Sequence, residues 1–136
     1  MNPAPNLSPG LFPGIFPGLF PWAVRLACLV PLLAGGAGAT TAFGFLDTAL
    51  APAPDSHARY LSGLLFGIGL LGLWCAQQPR ARGAAFAALA FIVVVGGGAR
   101  LAGWALAGVP PLSQQLPLLM ELGVVPALWL WQRRLG

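Results

Sequence analysis

The chain has 136 residues, 57% hydrophobic and only 7% charged, with seven arginines, no lysine, three acids and a net charge of +4. A soluble domain carries about 25% charged residues, and a soluble fold this poor in charge would expose apolar patches that aggregate. The composition excludes an ordinary soluble domain, and arginines that form no continuous stripe exclude a nucleic-acid surface.

The N-terminal segment repeats a Pro-Gly-Leu-Phe phrase, PGLFPGIFPGLFPW over residues 9–22. Proline at every fourth position removes helix donors, and Pro-Gly favours type II turns. Residues 1–21 are therefore expected to form a non-helical arm, as turns or an extended coil. Such backbone cannot lie in hydrocarbon with its polar groups unmet. Three readings stay open: an anchor in the headgroup zone, an arm docking on a partner through Phe12, Phe16, Phe20 and Trp22, or a low-complexity tail.

Residues 22–136 carry four apolar segments, at about 22–46, 56–76, 83–108 and 114–132, each near the ~20 residues that cross a bilayer as a helix. In the first, Arg25, a Leu-rich run and Ala37-Gly38-Ala39 imitate a secretory signal with its cleavage site; the segment is expected to be retained. Pro52 and Pro54 should block helix before the second segment, with Asp55 as its N-cap. Ser113 is a candidate cap for the fourth, and Pro126 should bend it. Short links make neighbours antiparallel. The expected fold is all-α: an integral membrane four-helix up-down bundle preceded by the Pro/Gly-rich arm.

Arg80 and Arg82 lie in the second link, Arg133 and Arg134 end the chain, and Arg25 opens the first helix. That side, with both termini, is expected to be cytoplasmic by the positive-inside rule, in a bacterial inner membrane. Trp22, Trp74, Trp129 and Trp131 should lie at that interface, with Tyr60 and Trp104 at the outer one.

Arg100 and Glu121 fall inside apolar segments, where a charge costs ~2.5–3.5 kcal/mol and marks a candidate site. They are equidistant from Pro110 and Pro111, which puts them at similar depth in an antiparallel hairpin. One reading is a self-neutralising pair that fixes helix register. The other is an outward-facing pocket, with Arg59 and Tyr60 beside the pair, for a headgroup, a quinone-like carbonyl or a small anion. Gly96, Gly97 and Gly98 weaken the third helix but admit close approach, and Gly63 and Gly67 form a small-xxx-small pair.

Cys28 and Cys75 read as buried small hydrophobes, with a disulfide as the lesser alternative. Asp55-Ser56-His57 is not a catalytic triad, because neighbours at a helix start do not converge. His57 is a remote candidate metal ligand; no metal site or catalytic residue is predicted. No resident cofactor is predicted either, though a bound lipid or pigment would suit the composition.

DSHARYLSGLLFGIGLLGLW, QQPRARG, VVVGGGARLAGWALAGVPP and LLMELGVVPALWLWQRR together resemble a bacterial family known as domain of unknown function 4345. The D-S-H-x-R-Y opening of helix two, the glycines before Arg100 and the Glu-Leu of helix four carry the likeness. It implies a small four-helix membrane protein and no established activity; the arm looks like an addition to it. The expected function is a non-enzymatic accessory or assembly subunit of a larger membrane complex, of respiratory or photosynthetic kind. The alternative is a binding protein or enzyme for an apolar lipid or quinone-like molecule at the Arg/Glu pocket. A transporter ranks third, since four helices without an inverted repeat are few.

Overall fold

The structure is a computed structural model that describes residues 18–42 and 51–135, apart from the side chains of Ser113 and Gln114. Among these residues all regular structure is helical. There are α1 (Phe20–Thr41), α2 (Pro52–Gln77), α3 (Gly83–Ala107) and a fourth rod. The rod comprises α4 (Leu112–Leu119), a π-helical turn (Met120–Val124) and α5 (Val125–Arg133). The first three helices are each long and apolar enough to cross a membrane.

Three helix starts differ from the expectation, each for a reason that lies in proline chemistry. Phe20, assigned to the arm, is the first residue of α1, and Pro21 follows it in the first turn. Pro52 and Pro54 do not block α2; they open it, behind Ala51 as N-cap. The first-turn positions need no N–H, so proline is tolerated there. The first donor α2 requires is Asp55, whose N–H reaches the Ala51 carbonyl at 2.9 Å. Asp55 is thus a first-turn acid rather than the cap. Pro111 holds the N-cap position of α4, which puts Ser113 inside the first turn.

The fourth rod is not a simply bent helix. Pro126 cannot donate to the Leu122 carbonyl, and its ring would clash with it. The turn before it widens, with the Val125 N–H bonded to Met120 O, five residues back.

α1 and α2 pack along their length in antiparallel register. A Cβ on Gly72 would lie 2.5 Å from Cys28 Sγ, one on Gly69 2.8 Å from Leu32, and one on Gly35 2.5 Å from the Phe66 nitrogen. Glycine is what allows these backbones to approach. α3 packs on the π-turn and α5. The two helix pairs meet where α1 starts, α2 ends and α5 ends. Phe20 is 1% exposed there. Its ring lies edge-on to Phe86 at 5.8 Å and to Trp131 at 5.6 Å. Val24, Cys28, Cys75, Ala76 and Leu128 complete this core. Both cysteines are free thiols within it. Away from this end the buried positions are small: Gly35, Gly38, Ala42, Ala58, Ser62 and Gly97.

Candidate functional site

Arg100 lies seven residues before the end of α3 at Ala107, about 10 Å along the axis at 1.5 Å per residue. It faces Glu121 of the π-turn. Arg100 Nε donates to Oε2 at 3.0 Å and Nη2 to Oε1 at 3.1 Å, a two-pronged pair. Such a fork satisfies both carboxylate oxygens and fixes geometry as well as charge. Glu121 is the more enclosed partner, its side chain 18% exposed against 37% for Arg100.

Two local features bring the carboxylate to the guanidinium. The π-turn carries Glu121, and Gly97 lies one turn before Arg100 on α3. A Cβ on Gly97 would stand 2.8 Å from the Glu121 Cβ and 2.9 Å from Leu122 Cδ2. The fourth rod therefore rests against bare backbone at this height. The arrangement pairs two opposite charges inside apolar segments and joins α3 to the fourth rod at one height.

Arg59 has other partners. Its Nε donates to Asp55 Oδ2 at 2.8 Å. Its Nη1 donates to the carbonyls of Ala39 and Thr40 at the end of α1. Thr40 and Thr41 hydroxyls donate to the Gly36 and Ala37 carbonyls one turn earlier, and the Ala42 N–H, in left-handed conformation, takes Gly38 O. The carbonyls of Gly36 to Thr40 are thus met by groups of the chain itself, including those of Ala39 and Thr40 near the helix end. Arg59 acts here as a cap supplied by the neighbouring helix and placed by Asp55. Arg59→Ala is expected to speed hydrogen exchange of the Ala39–Ala42 amides while leaving α3 unchanged; exchange read by mass spectrometry checks this.

Tyr60 is exposed on α2, and His57 is exposed in its first turn. Among the described residues no three metal-ligating side chains come together. Phe12 and Phe16 lie outside the described residues. Trp22 is 60% exposed, with the Arg25 guanidinium 4.8 Å from its ring. Phe20 is a core residue and unavailable for docking.

An open groove of about 410 Å³ lies one turn beyond the ion pair, lined by Trp104, Gln115, Leu118, Leu119, Leu122 and Gly123. Gln115 donates to Pro110 O at 2.8 Å.

The family model described as "Domain of unknown function (DUF4345)" matches residues 19–132, most of the chain. The chain belongs to the DUF4345 family. No curated protein and no solved structure matches it. The DUF4345 match begins one residue before α1 and ends one before the last residue of α5, so it covers every helix and the Arg100–Glu121 pair. Two features of this DUF4345 chain escaped the sequence reading. The π-turn had only Pro126 as a signal, which indicates a disturbed helix but not its form. The Arg59 cap had a signal in the four-residue spacing from Asp55, which makes an i,i+4 ion pair.

Proposed function

We propose that the protein is a non-enzymatic, multi-pass accessory subunit of the inner membrane, a four-helix up-down bundle that packs sideways on a larger membrane protein. One observation carries this reading. Gly63 and Gly67 lie on the α2 face opposite α1, and a Cβ on either meets nothing within 4 Å. Gly35, Gly69, Gly72 and Gly97 are all used in close contacts inside the chain. Tyr60, Leu64, Leu71 and Trp74 share the open face and are exposed. Small-xxx-small faces are how helices associate in lipid, where apolar burial gives no driving force. Both termini and the link 78–82 then face the cytoplasm, where arginine is enriched.

The test is native mass spectrometry of protein extracted gently from its own membrane. Gly63→Leu/Gly67→Leu is expected to emerge without the partner that accompanies the unaltered chain. Its own fold should persist, because the new side chains enter open space and leucine favours helix by up to ~1 kcal/mol per site over glycine. Retention of the partner by this variant would refute the reading. Removal of residues 1–17 separately reads the contribution of the arm.

The groove beside Trp104 and Gln115 favours a second reading, a binder of an apolar lipid or quinone-like molecule next to the Arg100–Glu121 pair. It predicts that Glu121→Gln loses a co-purifying apolar ligand while the helices stay folded. Unfolding of that variant instead assigns the pair to structure.

A further inference from the structure

Five of the seven arginines, Arg25, Arg80, Arg82, Arg133 and Arg134, gather at the end where α1 begins, residues 78–82 turn and α5 stops. The described acids are both engaged elsewhere, Asp55 with Arg59 and Glu121 with Arg100. Among the described residues, no carboxylate balances this end. Three of its arginines lie over tryptophan rings, Arg25 on Trp22, Arg82 on Trp74 and Arg133 on Trp129, at 4.0–5.1 Å. Tryptophan with arginine at the end of apolar helices marks the headgroup level of a bilayer.

A cleft of about 220 Å³ opens at this level between the start of α3, the turn before it and α5. Arg80 and Arg133 flank it, and Trp129 and Ala87 give it an apolar wall. Its floor is fixed by Gln132, 6% exposed, whose amide donates to Pro79 O at 2.7 Å. Arg80 is anchored through Nε to Leu135 O at 2.8 Å, which leaves its two terminal nitrogens without a partner among the described residues. α3 starts at Gly83 on the cleft rim with no side-chain cap, so the positive end of its dipole adds to the two guanidinium charges.

We propose that this cleft binds the phosphodiester headgroup of an anionic phospholipid, with the phosphate between Arg80 and Arg133 and an acyl chain leaving past Ala87 toward the exposed Phe91. Two cations without acids among the described residues call for an anion, and basic pockets between membrane helices take anionic headgroups. The apolar wall decides between a lipid phosphate and free phosphate, because a soluble anion would leave Ala87 and Trp129 without a role.

The test titrates the full chain in detergent with phosphatidylglycerol and with phosphatidylethanolamine of the same acyl chains, read by native mass spectrometry. Phosphatidylglycerol should be retained about tenfold better. Arg80→Gln/Arg133→Gln should erase that preference. Ala87→Phe, which fills the cleft and keeps every charge, should erase it too, so the test stands even if the double variant folds poorly. The charge-matched Arg25→Gln/Arg134→Gln should keep the preference, and millimolar inorganic phosphate should not displace the lipid. Three results would overturn the assignment. They are unchanged retention by Ala87→Phe, equal loss in the charge-matched control, which indicates a diffuse field, and displacement by phosphate, which indicates a soluble-anion site.

Discussion

Glu121→Gln is expected to destabilise the folded chain by about 2.5–3.5 kcal/mol, the cost of a lone cationic side chain inside an apolar span. The variant keeps the shape but removes the charge that Arg100 meets through two bonds, and it replaces one acceptor oxygen with an NH2 that cannot accept from the guanidinium. Arg100→Met should cost less than Glu121→Gln, since the carboxyl left behind can take up a proton whereas a guanidinium cannot give one up. Arg100→Met/Glu121→Leu should recover most of the loss, because replacing both partners with apolar side chains leaves nothing uncompensated. Reversible unfolding in mixed micelles with increasing denaturing detergent measures all three. If Glu121→Gln unfolds within about 0.5 kcal/mol of the unaltered chain, a range typical of surface substitutions, the pair does not lock the helices.

The similar depth of Arg100 and Glu121 was legible in the sequence because antiparallel geometry equates depth with distance from the turn, and Pro110 and Pro111 mark the turn; that the two side chains meet within one chain was not, because depth does not fix which way a helix face turns. The three long helices were legible for a related reason: in lipid, apolar length is nearly sufficient to define a helix. Phe20 was misassigned because proline density argues against helix, yet a proline in a first turn is neutral. The same ambiguity placed the start of α2 four residues late. The division of labour among glycines was illegible for a deeper reason. Gly63 and Gly67 carry the recognisable spacing, while the contact with α1 uses Gly69 and Gly72. Which glycines face inward depends on how two helices are rotated about their axes, and a helix that is apolar all round does not encode that rotation in its periodicity.

Gly35→Ala carries the sharpest consequence of that division. Its new Cβ would meet the Phe66 nitrogen at 2.5 Å, Ser62 O at 2.8 Å and Phe66 Cα at 2.9 Å, all backbone atoms of α2. No rotamer change can relieve backbone contacts, so α1 and α2 must move apart and lose packing along their shared length. Overpacking of this kind costs about 1–3 kcal/mol, and here the upper part of that range applies, offset by up to ~1 kcal/mol of helix propensity gained over glycine. Gly69→Ala should cost less, because its nearest contacts are to the Leu32 side chain, which can turn. Gly63→Ala meets open space and should be neutral or stabilising by up to ~1 kcal/mol. The ordering Gly35, then Gly69, then Gly63 follows from what each methyl group touches, and the micelle unfolding assay resolves it. If Gly35→Ala and Gly63→Ala are equally stable, the close approach of α1 and α2 is not what holds this pair together. The helix pair would then depend on the Arg59 bridge at one end and the Phe20 cluster at the other.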